Sequence, residues 1–79
     1  MKITIYTTPR CPQCILLKEW LDKSGKRYEV VDLAKDPTKG NEVVQGTGNM
    51  IVPSIKIEKT TGTQWLAGFN EEGLKNYLK

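Results

Sequence analysis

Two cysteines, Cys11 and Cys14, are the residues of this 79-residue chain whose type and spacing suit them to chemistry. They are its only cysteines, and the sequence contains no histidine. Two thiols separated by two residues can close a disulfide and exchange it with the disulfide of another molecule. The spacing therefore indicates thiol–disulfide exchange. Because a structural zinc site almost always needs four ligands, a metal would require a second copy of the chain or an outside thiol.

The elements around the pair would give the two sulfurs different roles. Residues 2–7 alternate as a first strand, and the apolar spacing predicts a helix from about Pro12 to Lys23 that stops at Ser24 and Gly25. Proline suits the first helical position, so Cys11 would be the N-cap residue, facing unpaired N–H groups and the positive end of the helix dipole. We expect the pKa of its thiol to fall from about 8.5 to roughly 3.5–7.5. Cys14 would face the interior and resolve the mixed disulfide.

The rest of the chain predicts five further elements in one domain over residues 1–79. They are a strand over residues 27–33, a helix over 36–45, strands over 54–58 and 63–67, and a last helix capped by Asn70 whose buried stripe is Leu74, Tyr77 and Leu78. The order β-α-β-α-β-β-α has a parallel unit first and an antiparallel hairpin second. It predicts an α/β fold with a four-stranded mixed sheet flanked by three helices.

Charge and hydropathy limit the classes of partner. The net charge is +3, but the lysines are spread along the chain and do not form one stripe, which favours a solvated surface over nucleic-acid binding. The sequence opens without a secretory leader and contains no run of roughly 20 apolar residues. We therefore expect a monomeric cytoplasmic protein with no membrane contact. In that reducing compartment a close cysteine pair is more often catalytic or metal-binding than structural.

Three segments together resemble the glutaredoxin family, which has the thioredoxin fold. They are residues 11–14 (CPQC), 51–55 (IVPSI) and 67–70 (AGFN). Within the family, the chain is most similar to the small redoxins that donate electrons to class Ib ribonucleotide reductase and are recharged by thioredoxin reductase. The resemblance implies a dithiol oxidoreductase and electron carrier that reduces protein disulfides. Its redox-active Cys11–Cys14 disulfide would take the place of a bound cofactor.

The same resemblance assigns a partner-binding role to four residues. Pro53 would be a cis-proline facing the cysteines, and the main chain of Val52 would be exposed for pairing with a substrate strand. Without the family, an ordinary proline opening an edge strand is the alternative. Gly68 and Phe69 would complete the surface, with Phe69 either an apolar lip around the sulfur or a residue that staples the last helix.

Three neighbours of the cysteines would support them. Arg10 adds favourable charge beside the nucleophile, Pro12 is typical of dithiol glutaredoxins, and Gln13 is typical of the ribonucleotide-reductase donors. Trp65 departs from those donors, because it stands three residues before Gly68 where they place a tryptophan two residues before.

The segments that bind glutathione in glutaredoxins are altered here. Thr8 stands where the family has a basic residue, three positions before the first cysteine. Residues 67–71 read AGFNE in place of two glycines, a polar residue and an aspartate. We expect weak glutathione binding, although Glu71 is a candidate partner for the glutamyl amine. A glutathione-dependent glutaredoxin is the first alternative. A binding module in which two copies share a metal or iron-sulfur cluster through Cys11 is the alternative of another class.

Overall fold

Seven helices and strands follow one another in the predicted order in the computed structural model, which describes residues 1–77. The elements are β1 (Lys2–Thr7), α1 (Pro12–Lys23), β2 (Glu29–Asp32), α2 (Gly40–Thr47), β3 (Ser54–Lys59), β4 (Gly62–Ala67) and α3 (Glu71–Tyr77). The strands form one sheet in the order β2-β1-β3-β4. β1 is parallel to β2 and antiparallel to β3, and β3 is antiparallel to β4. The predicted mixed four-stranded sheet is confirmed.

The period-two alternation of the strands buries both faces of this sheet. The first cluster lies on the face covered by α1 and α3 and consists of Ile3, Ile5, Leu17, Leu21, Ile55, Ile57 and Leu74. The second cluster lies on the other face, which α2 covers, and consists of Tyr6, Leu33 and Val43. Of the predicted stripe on the last helix, Leu74 is buried and Tyr77 is partly buried against the first cluster, whereas Leu78 is outside the described residues.

The predicted signals at the helix ends act as expected for α1 and α3. α1 stops at Ser24, and Gly25 then takes the left-handed conformation with φ 70°. At the start of α3, the side-chain oxygen of Asn70 accepts a hydrogen bond from the N–H of Gly73 at 3.1 Å.

The second helix differs from its prediction. It opens as a 3₁₀ turn over Pro37–Lys39, becomes α-helical at Gly40 and continues to Thr47. It ends at Gly48, which has φ 89° and satisfies the Val44 carbonyl. Gly46 lies inside the helix and packs closely on Trp65, because a Cβ there would collide with the ring of that tryptophan.

β2 is shorter than the predicted strand over residues 27–33, because its pairing with β1 begins only at Glu29 and ends at Asp32. None of the helices within residues 1–77 has the length and apolar character to cross a membrane.

Two adjacent leucines of α1 allow the core to be tested with one chemical change. Leu17 is fully buried in the first cluster, whereas Leu16 is 47% exposed. We expect Leu17→Ala to lower the free energy of unfolding by about 2–5 kcal/mol, because it removes buried methyl groups and leaves a cavity. Leu16→Ala should cost less than about 0.5 kcal/mol. Urea unfolding followed by circular dichroism measures both, and equal losses would contradict the assigned faces of α1.

Candidate active site

Cys11 is the N-cap residue of α1, as its spacing predicted. β1 ends at Thr7, a turn of three residues follows, and Cys11 then has extended backbone angles (φ −127°, ψ 101°) before Pro12 takes the first helical position. The Cys11 sulfur accepts a hydrogen bond from the N–H of Cys14 at 3.1 Å. A sulfur thus occupies the position in which serine or aspartate oxygens usually cap helices. In the reduced protein, the same N–H and the helix dipole would stabilise a thiolate.

Cys14 lies one turn further along α1, on the face that enters the core. It is 2% exposed and shares that face with Leu17 and Leu21, whereas Cys11 is 9% exposed at the protein surface. The two cysteines form a disulfide, with their Cα atoms 5.2 Å apart, a separation that disulfides ordinarily adopt. The arrangement gives one sulfur access to an outside disulfide and keeps the other within bonding reach of the first.

Two further loops meet the cysteines at the same end of the sheet. The register pairs Tyr6 near the end of β1 with Ser54 at the start of β3, and Ser54 with Ala67 at the end of β4. The loop after β1, the loop before β3 and the loop after β4 are therefore neighbours. They contain the cysteine pair, residues 51–53 and residues 68–70 respectively.

The segment before β3 has the predicted backbone. The Val52–Pro53 peptide bond is cis, and the carbonyl of Pro53 accepts a hydrogen bond from the N–H of Gly68 at 2.7 Å. Val52 precedes the first paired residue of β3, so its main chain lies outside the strand register, while its side chain packs partly against the second cluster. Gly68 has φ 79°, a conformation that suits glycine. Val52, Pro53 and Gly68 are thus brought together at the site end.

Phe69 both packs against the core and lines a surface groove. Its ring is partly buried against the first cluster. It also lines a groove of about 190 Å³ beside α1, together with Leu16, Trp20 and Glu71. The contact of Phe69 with the first cluster supports the interpretation that this residue staples the last helix. Trp20 and Trp65 are packing residues as expected, the first against the first cluster and the second against the other.

The side chains next to the cysteines point into solvent. Arg10, Pro12 and Gln13 are all exposed, and none of them makes a side-chain hydrogen bond or ion pair to another residue in the range 1–77. Thr8 is half-buried. Within the described chain, no group of three or more histidine, cysteine, aspartate or glutamate side chains is placed to hold a metal ion.

Sequence reasoning missed two buried polar contacts near this end. The Tyr6 hydroxyl donates to the Glu42 carboxylate at 2.8 Å, and burial followed by this bond raises the pKa of Tyr6 well above its usual 10. The phenol therefore remains a neutral donor that ties β1 to α2. The Ser54 hydroxyl donates to the carbonyl of Ile51. No local signal indicates either contact, because Ser54 falls on the polar side of an alternation with Lys56 and Glu58, and nothing local pairs Tyr6 with Glu42.

Known proteins of similar sequence and structure agree with this geometry. The glutaredoxin family model matches residues 3–60. The chain is 33% identical over 58 residues to a glutaredoxin of Pseudomonas aeruginosa, across 73% of this chain and 69% of that protein. It is 32% identical over 65 residues to the gene 56 protein of Mycobacterium phage D29, across 78% and 72%. A crystal structure of a mutant of the thioredoxin-like protein BC3987 has a TM-score of 0.85 at 31% identity, covering 99% of this chain and all of that one.

Single-cysteine variants test the asymmetry of the pair. In Cys14→Ser the only thiol is that of Cys11 at the helix N-terminus, and we expect its pKa to lie below 8.5, within roughly 3.5–7.5. In Cys11→Ser the only thiol is buried, and burial should raise its pKa above 8.5 because it disfavours the charged form. Thiolate absorbance followed against pH measures both values. Equal pKa values in the two variants would show that the helix terminus does not select Cys11.

Proposed function

This chain belongs to the glutaredoxin family, and from that premise we propose that it is a dithiol electron carrier that reduces the disulfide of a partner protein and is recharged by a separate reductase. The observation that carries the proposal is the capping contact of Cys11 with Cys14 beneath it. Family membership makes it a thiol–disulfide oxidoreductase. The identity of its partners is the finer part of the proposal.

The reaction uses two thiols and moves two electrons. The Cys11 thiolate attacks one sulfur of the partner disulfide, the other partner sulfur leaves as a thiolate, and a mixed disulfide joins the two proteins. Cys14 then gives up its proton to that thiolate or to water, because the chain holds no histidine to accept it. The Cys14 thiolate attacks the Cys11 sulfur and the partner leaves as a dithiol. The carrier is now oxidised at Cys11–Cys14 and must be reduced again.

We propose a ribonucleotide reductase as the partner and a flavoprotein such as thioredoxin reductase as the source of electrons, in the cytoplasm. Gln13 between the cysteines and Phe69 after Gly68 support this over glutathione, as does the absence of a cation at Thr8. Val52 and Pro53 would present the main chain to the partner, and Gly68 and Phe69 would border it. Arg10, exposed beside Cys11, would add a positive charge at the site of attack. All of these residues lie in one redox domain, which we take to span 1–79.

A glutathione-dependent reaction is the second candidate, and one observation favours it. Glu71 lies in the first turn of α3 and lines the groove beside α1, where a carboxylate is available to an amine. The alternative of a shared metal or iron-sulfur cluster requires two copies joined through Cys11. Metal analysis and the absorbance spectrum of the purified protein test that alternative directly.

The source of electrons separates the two redox candidates. We expect NADPH with thioredoxin reductase to reduce the oxidised protein, and glutathione with glutathione reductase to do so far more slowly. NADPH consumption in parallel reactions measures both, and Cys11→Ser serves as the inactive control. Turnover only in the glutathione system would contradict the proposed carrier.

Under the same conditions, Cys14→Ser should accumulate a mixed disulfide with a ribonucleotide reductase that carries an oxidised cysteine pair.

Restoring the missing cation tests the explanation for weak glutathione use. We expect Thr8→Lys to lower the KM for a glutathione mixed disulfide about two- to fivefold, since an exposed ion pair contributes up to about 1 kcal/mol. Thr61→Lys adds the same charge in the β3–β4 hairpin, at the far end of the sheet. It should leave the KM unchanged. An equal effect of both lysines would indicate general attraction of an anion, not a local clamp.

A further inference from the structure

Ser54 is a fully buried polar side chain that the sulfur chemistry does not use. It is 0% exposed and opens β3, an inner strand of the sheet, where it pairs with Tyr6 on one side and Ala67 on the other. A buried hydroxyl costs free energy unless it forms a hydrogen bond. An alanine would fit a strand core without that cost, so the partner of this hydroxyl indicates what the serine does.

The hydroxyl binds the loop and not the sheet. It donates to the carbonyl of Ile51, three residues earlier, and so closes a ring around Val52 and Pro53. At the other end of the same segment, the carbonyl of Pro53 accepts from the N–H of Gly68. The main chain of residues 51–53 is therefore held at both ends, from β3 and from the loop after β4. Val52 lies between these two attachments, outside the strand register.

We propose that Ser54 is a positioning residue for partner binding. Its hydroxyl holds residues 51–53 in the conformation in which the main chain of Val52 pairs with an extended segment next to the partner's cysteine. The inference rests on the proposed function and adds to it that the Ser54 hydroxyl fixes the loop that presents this main chain. A substrate strand that adds to exposed backbone gains affinity from main-chain hydrogen bonds.

The physical effect is one of preorganisation. A loop that is already ordered pays no further conformational entropy when the partner pairs with it, whereas a loop released at Ile51 must be ordered on binding. The loss therefore falls on affinity for substrates that carry main chain. The attack by Cys11 itself, and its rate on a small disulfide, does not depend on Ser54, which lies on another element.

Two substrates with the same reactive bond separate these effects. One is a short extended peptide whose central cysteine is a mixed disulfide with thionitrobenzoate, and the other is the same mixed disulfide of free cysteine. In each, the Cys11 thiolate attacks the cysteine sulfur and displaces thionitrobenzoate, whose release is followed by absorbance. Cys14 then displaces the cysteine as a free thiol, and the protein is left oxidised at Cys11–Cys14. Saturation kinetics on the reduced protein give a half-saturating concentration and a maximal rate.

We expect Ser54→Ala to raise the half-saturating concentration of the peptide about two- to tenfold, the range that one hydrogen bond accounts for. The maximal rate and the reaction of free cysteine disulfide should not change. Ser54→Thr keeps the hydroxyl and should restore the value. Ile3→Ala removes buried methyl groups from β1, at the end of the sheet away from the three loops, and controls for lost stability.

A peptide with N-methylated residues on both sides of its cysteine lacks the main-chain donors. This peptide should bind the natural protein more weakly, and Ser54→Ala should weaken its binding no further. The comparison does not use Ser54→Thr, so it holds even where that variant packs poorly. If Ser54→Ala behaves like Ile3→Ala, or slows both substrates equally, Ser54 is not a positioning residue for main-chain binding. Failure of the natural protein to reduce any protein disulfide would instead overturn the proposed function.

Discussion

The N–H of Cys14 is directed at the sulfur of Cys11, and this single contact couples the chemistry to the fold. The contact exists because α1 begins one residue after Cys11. α1 begins there because proline is accepted at the first position of a helix but not in its interior. The residue that donates this hydrogen bond is also the residue whose sulfur completes the reaction. The first turn of α1 therefore provides both the N–H that stabilises the attacking thiolate and the thiol that resolves the mixed disulfide.

The sheet carries the other half of the site. Because β3 runs antiparallel to both β1 and β4, the end of β1, the start of β3 and the end of β4 lie at the same end of the sheet. A short chain thus gathers three loops around one disulfide without a long connection. The bond from Gly68 to Pro53 and the bond from Ser54 to Ile51 then fix one of these loops relative to the sheet. In the proposed function, this fixed loop presents its main chain to the partner.

The sequence predicted those features that local chemistry decides. The cysteine spacing, Pro12, the stop at Gly25 and the cap at Asn70 each act within a few residues, and each is found where the pattern placed it. The parallel first unit and the antiparallel hairpin followed from the order of the elements, whereas the order of the strands in the sheet came only from the structure. The bounds of β2 and α2 were wrong, since β2 is limited by its register with β1 and α2 continues as far as the left-handed Gly48. The contacts of Tyr6 with Glu42 and of Ser54 with Ile51 depend on the assembled loops and not on a motif.

Pro12 and Gln13 differ from the cysteines on either side of them in one respect, since both are exposed while Cys11 and Cys14 are buried. A substitution at Gln13 consequently changes the surface next to Cys11 without disturbing the packing of Leu17 or Leu21 in the core. Gln13 can therefore vary among related sequences, and with it the surface that a redox partner meets, at little cost to folding, whereas Pro12 is tied to the start of α1. Selection can thus fit such a carrier to a new donor or acceptor while its interior stays the same.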